Sequence, residues 1–195
     1  MQSLSEAKTL GGIGAILVVL GLAPSVGFVL AIAGWVLILV AVDRISKAVN
    51  DRTIFNNVLM AVILAIVGSI VAGLLLGFGV FFAILGGEMG PGAPADPFAF
   101  FSQLLGVVVV GLVAFWLVMI FSARYLRRGY DAISSSLNVP MFRTAGKLYF
   151  YGALLSIILV GLILILIAEI LQIVAFFSIP ESPPQPFQPT ATTSF

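Results

Sequence analysis

Residues 9–42 read TLGGIGAILVVLGLAPSVGFVLAIAGWVLILVAV, an uncharged run whose interpretation decides the fold. As one helix at 1.5 Å per residue it would reach about 51 Å, whereas about 20 apolar residues cross a hydrocarbon core of about 30 Å. Near its middle stands Gly21-Leu-Ala-Pro24-Ser-Val-Gly27, a proline flanked by glycines, and these are strong helix breakers. The run therefore predicts two short helices, residues 5–22 and 24–49, joined by a tight turn. A single kinked helix is the competing reading. A cleaved signal peptide is a third, because Gly21 and Ala23 resemble the small residues of a cleavage site, but Pro24 directly after Ala23 argues against cleavage.

Working outward, the same texture returns. Residues 53–87 and 97–123 carry no charge, and residues 148–180 carry only Glu169. Each run is long enough to cross a bilayer, which predicts further helices over residues 53–86, 98–136 and 146–179. The polar/apolar alternation of a membrane β-barrel is absent. The expected fold is thus all-α, a polytopic transmembrane helix bundle over residues 1–180 with five spans, or four if the first run is one helix. The Pro/Ser/Thr-rich tail, residues 181–195, cannot build a core and is expected to be disordered.

Composition agrees. Hydrophobic residues make up 61% of the 195 and charged residues 9%, against about 45–50% and about 25% in soluble domains. Mean hydropathy is +1.22. A formal net charge of +1 argues against nucleic acid as a partner. With no cysteine and no histidine, the chain lacks thiolate chemistry, the commonest metal ligand and the usual base near neutral pH. No phosphate-cradling loop and no close intramembrane carboxylate pair is found, so neither a catalytic site nor a cofactor is expected.

The charges orient the bundle. Lys8 precedes the first predicted span; Arg44, Lys47 and Arg52 follow the second; Arg124, Arg127, Arg128, Arg143 and Lys147 join the fourth to the fifth. Five spans put all nine on one side. The loop at residues 86–97 has Glu88 and Asp96 but no base, and the tail has only Glu181. Because Lys/Arg bias in short loops sets topology, a cytoplasmic amino terminus and an extracytoplasmic carboxyl terminus in a plasma membrane are expected. Phe81, Phe82, Phe98, Phe100, Phe101, Phe176 and Phe177 fall near the predicted outer boundary, and Tyr125, Tyr130, Tyr149 and Tyr151 near the inner one.

Both inner loops carry one phrase. Asp43-Arg-Ile45-Ser46-Lys-Ala-Val49-Asn50 recurs, offset by 88 residues, as Asp131-Ala-Ile133-Ser134-Ser-Ser-Leu137-Asn138, and a phenylalanine follows each, Phe55 and Phe142. Either two helical hairpins are parallel repeats, as in some transporters, or both loops solve the same helix-ending problem.

Few residues offer chemistry. Glu169 is the ionisable residue inside a predicted span, with Gln172 one turn on; helical rise from Lys147 places them near the outer headgroups. If buried against other helices, they would form an ion or proton site. Ser69, Gly73 and Gly77 make a small-residue ridge suited to helix packing, within the chain or between copies, and Ala23, Gly27 and Ala31 make another. Arg124, Arg127 and Arg128, beside Tyr125 and Tyr130, form an edge suited to anionic lipid headgroups or to anchoring, with Arg128 expected to pair with Asp131. Membrane lipids, and a second copy or a membrane partner, are the partners this pattern suggests. Gly11-Gly12-Ile-Gly14 opens the first helix with no preceding strand, so it does not predict nucleotide binding.

The run Lys8-Thr-Leu-Gly-Gly-Ile-Gly-Ala-Ile16, the break Pro24-Ser-Val-Gly27, and Leu148-Tyr-Phe-Tyr-Gly-Ala-Leu-Leu155 followed by Ile173-Val-Ala-Phe-Phe-Ser-Ile-Pro180 occur in order along the chain. Together they resemble the uncharacterised prokaryotic, largely archaeal membrane family known as domain of unknown function 996. The resemblance spans residues 8–180 and implies a multi-pass membrane protein, with no reaction, ligand or functional residue attached.

Overall fold

The computed structural model describes residues 4–89 and 97–181. Among them run six helices: α1 (Leu4–Leu20), α2 (Gly27–Ala48), α3 (Arg52–Met89), α4 (Pro97–Leu137), α5 (Pro140–Leu155) and α6 (Val160–Phe177), with a single 3-10 turn, Ser156–Ile158, between the last two. Asp96, the Glu88 side chain and residues 182–195 lie outside the described residues.

The first apolar run is two helices, as its Pro24 break predicts. They meet antiparallel, with Gly14 of α1 against Gly34 of α2: a Cβ on Gly34 would lie 2.6 Å from the Gly14 carbonyl oxygen. Small residues at a crossing let backbones touch where lipid removes any hydrophobic drive for association. The basic end of the pair is closed by an ion pair between Glu6 and Arg44. The Gly11-Gly12-Ile-Gly14 run is therefore a packing surface, with Gly11 under Phe176 and Gly12 under Phe177.

Both copies of the repeated phrase end a helix in one way. Asn50 and Asn138 are left-handed, at φ 54° and 56°, a conformation asparagine tolerates better than most residues. After α2 the amide of Asp51 donates back to Ser46 O at 2.9 Å, and the Ser46 hydroxyl donates to Asp51 O at 2.8 Å. Asp51 then caps α3, accepting from the Thr53 amide at 2.9 Å. After α4, extended Val139 leads into Pro140 at the start of α5, where its missing N–H costs nothing.

The predicted fifth span, residues 146–179, is instead a helical hairpin. Three contacts pair α5 and α6 antiparallel: Phe142 edge-on to Phe176 at 5.0 Å, Tyr149 bonded to Gln172, and Gly152 against Gly161. Ser178 near the end of α6 touches Met141 at the start of α5, 3.9 Å from hydroxyl to sulfur. Arms of 16 and 18 residues span about 24 and 27 Å; the first opens with polar residues, whereas the second is long and apolar enough to cross a membrane. The turn is made without proline: Leu159 takes φ 61°, and the Ser156 hydroxyl accepts the role of local donor to Ala153 O at 2.9 Å. Three consequences correct the expectations above. The start of α5 and the end of α6 lie at one end of the bundle, so the described chain does not finish opposite its start. Phe176 and Phe177 lie against α1, at Gly11 and Gly12. Glu169, on the returning arm, sits level with Tyr149, beside the basic end.

The core occupies that same end. Ile38, Val42, Ile45, Ile54, Val58, Tyr130, Ile133, Phe142 and Phe176 are buried there. Beyond it α3 and α4, 38 and 41 residues long, continue as a hairpin about 57–61 Å in length. They pack on each other through Gly68 and Val118, Leu76 and Gly111, and Gly79 and Val107, while Leu74, Leu75, Phe78, Val110 and Leu112 are exposed. Outward apolar faces of this extent belong in lipid. Segments within α2, α3, α4 and α6 are long and apolar enough to cross a membrane.

Candidate functional site

Two polar constellations stand out at the basic end, one inside the bundle and one on its edge. Inside, α4, α5 and α6 meet at Gln172, which is 1% exposed. Its Oε1 accepts from the Tyr130 hydroxyl at 2.7 Å and from the Tyr149 hydroxyl at 2.9 Å. Its Nε2 has no hydrogen-bond partner among the described residues. Tyr130 and Tyr149 were expected at the headgroup layer; both are buried, because Gln172 lets their hydroxyls enter the core satisfied. Phe142 stacks edge-on against Tyr130 at 5.5 Å and completes the packing. Glu169, half-buried one turn before Gln172, lies within electrostatic reach of both tyrosines.

A second device supports the hairpin turn. The indole Nε1 of Trp116 in α4 donates to the α5 carbonyls of Ala153 and Leu154 at 3.0 and 3.3 Å, and the Ala153 carbonyl also accepts from the Ser156 hydroxyl. In lipid an unpaired carbonyl costs several kcal/mol, so a donor from a neighbouring helix supports such a turn.

On the edge, Asp131 lies between two arginines: Arg127 of its own helix at 3.7 Å and Arg143 of α5 at 3.8 Å. Arg127 is also held over the Phe150 ring at 5.4 Å. Arg128 lies over the Tyr125 ring at 5.8 Å, so the expected Arg128–Asp131 pair is replaced by Arg127–Asp131, a full helical turn apart. Among the described residues Arg124, Arg128 and Lys147 make no ion pair. Gly146 packs on the α4 backbone at Arg127, which brings α5 close against the arginine-bearing turn of α4.

The Ser69, Gly73 and Gly77 ridge does not pack within the chain. A Cβ at Gly73 or Gly77 would meet nothing within 4 Å, because α3 turns Gly68, Ala72 and Gly79 towards α4 instead. The Ser69 hydroxyl bonds only back to its own helix, at Ala65 O and Ile66 O. No group of three or more metal-ligating side chains occurs among the described residues.

A bundle of apolar helices with a tyrosine-clamped glutamine inside and a basic edge outside defines a small all-α polytopic membrane protein. The chain belongs to the family of proteins of unknown function DUF996, whose model matches residues 30–170. It is 38% identical over 180 residues to an uncharacterised protein of Methanocaldococcus jannaschii, a match covering 92% of this chain and 95% of that one. No solved structure matches the chain.

Proposed function

We propose that this protein is a non-enzymatic component of a prokaryotic plasma membrane that holds anionic lipid at its basic edge, with its amino terminus and the end of α6 both on the cytoplasmic side. The observation that carries this reading is charge placement. Residues 124–147 hold five cations, Arg124, Arg127, Arg128, Arg143 and Lys147, against one carboxylate, Asp131. Cations at a bilayer surface attract anionic headgroups by about 1 kcal/mol each. Replacing Arg124, Arg127 and Arg128 together by Gln is expected to remove about 3 kcal/mol, or about 100-fold in affinity for phosphatidylglycerol. Titration of the detergent-purified chain with that lipid, against phosphatidylcholine, measures it. Equal affinity in the triple variant and the parent refutes the reading.

A second reading, a small proton or ion carrier, has one observation in its favour: half-buried Glu169 precedes by one helical turn Gln172, whose buried Nε2 has no partner among the described residues. Glu169→Gln is then expected to abolish proton flux in reconstituted vesicles. Flux unchanged from the parent chain, or absent in both, removes that reading.

A further inference from the structure

The two copies of the repeated phrase differ in how they use their aspartate, and the difference defines a ligand site. In the first copy, Asp43 is fully engaged: Lys47 Nζ lies 2.5 Å from Oδ2 and Arg52 lies 2.9 Å from Oδ1, both of hydrogen-bond length. Arg44 is spent on Glu6. In the second copy, Asp131 has the same two kinds of neighbour, one on its own helix and one on the next. Both stand off, at 3.7 and 3.8 Å, beyond hydrogen-bond reach. The Asp131 Oδ1 atom is buried and accepts no hydrogen bond.

We propose that Arg127 and Arg143, spaced by Asp131, form an open clasp for the phosphate of a membrane lipid headgroup. The carboxylate holds the two guanidinium groups near each other without consuming their donors, five on each arginine. Arg127 is further positioned by the Phe150 ring, which leaves its edge free to donate. A phosphate carries oxygens in several directions and serves arginines arriving from two helices, whereas a planar carboxylate matches one guanidinium fork. Arg124, one turn before Arg127, and Lys147, one turn after Arg143, make no ion pair among the described residues. Exposed apolar side chains for an acyl chain lie further along both helices, Phe121 and Leu117 on α4 and the Tyr151 ring on α5. This assignment rests on the anionic-lipid reading and names its ligand group and its second arginine.

The test uses the full chain in detergent, titrated with phosphatidylglycerol, with a fatty acid of matching chain length, and with inorganic phosphate. The parent is expected to favour the phospholipid over the fatty acid about tenfold. Arg143→Gln should lose that preference, and so should Arg143→Lys, which keeps the charge and guards against a folding defect. Lys47→Gln with Arg52→Gln, in the closed first copy, should keep it. If Arg143 variants retain the preference while lipid binding still depends on Arg124, Arg127 and Arg128, the clasp is wrong and the broader reading stands. If the parent binds no anionic lipid, both fall. Inorganic phosphate binding as tightly as the phospholipid would overturn the lipid as source.

Discussion

Leucine in place of Gln172 is expected to destabilise the bundle by about 2–6 kcal/mol, because it strands two buried hydroxyls that each cost about 1–3 kcal/mol unpaired. Tyr130 and Tyr149 both donate to the one Oε1 that the change removes, and neither can turn to water: Tyr130 is fully buried and Tyr149 7% exposed. The lower part of that range is the expected outcome, since interhelical hydrogen bonds in membranes contribute about 0.6 kcal/mol on average when the unfolded chain also finds partners. The informative comparison is the triple change Gln172→Leu, Tyr130→Phe, Tyr149→Phe. Removing donors and acceptor together leaves nothing stranded, so the triple variant should melt closer to the parent than Gln172→Leu alone. Thermal melts of the parent, Gln172→Leu, the double change Tyr130→Phe with Tyr149→Phe, and the triple change, all in one detergent, measure this non-additivity. Strict additivity, with the triple change worst, would mean that the three side chains act by packing alone.

What the sequence made legible follows from which physical signals are local. Hydrophobic run length marked every apolar segment, and Pro24 between Gly21 and Gly27 marked the first turn, because breakers act within a few residues. The repeated Asp-to-Asn phrase was visible as letters, and its geometric meaning, Asn50 and Asn138 both left-handed, is a local property as well. The α5–α6 turn was not legible. Residues 156–160 read Ser-Ile-Ile-Leu-Val, as apolar and β-branched as the neighbouring spans, and the left-handed residue there is a leucine. What supports that turn is distant in sequence: Trp116, 37 positions before Ala153, donates to the carbonyls beside it. Reading residues 146–179 as continuous then carried Glu169, Phe176 and Phe177 to the wrong end. The tyrosines failed for a related reason. Tyr130 and Tyr149 have the composition of an interfacial belt, and only Gln172, arriving on a third helix, makes their burial tolerable. Arg124, Arg127 and Arg128 are near neighbours on one helix and so are visible in sequence as a group, whereas Arg143 meets Arg127 at Asp131 only because α5 packs on α4 at Gly146.

Valine at Gly161 is expected to open the α5–α6 hairpin. A Cβ there would strike the Gly152 carbonyl oxygen and the Ser156 amide nitrogen, which are backbone atoms and cannot swing aside as a side-chain tip can. Overpacking ordinarily costs about 1–3 kcal/mol, and more where the obstacle is rigid; here the arms themselves must part. Parting them also withdraws Ala153 and Leu154 from the Trp116 indole and separates Tyr149 from Gln172, so the loss spreads to both polar devices. The chain has no cysteine, which makes the readout direct. Met141→Cys with Ser178→Cys puts two thiols at positions whose side chains touch at 3.9 Å in the parent, and a short thiol-reactive cross-linker should join them within one chain. On one continuous helix the same positions would stand about 55 Å apart and could not join within a chain. Adding Gly161→Val to the cysteine pair should abolish the intramolecular bridge, whereas Gly161→Ala, with the same Cβ and less bulk beyond it, should weaken it too, because the Cβ is the obstacle. Efficient bridging in the valine variant would show that the close approach of Gly152 and Gly161 does not hold the turn, and no bridging in the cysteine pair alone would return residues 146–179 to a single span.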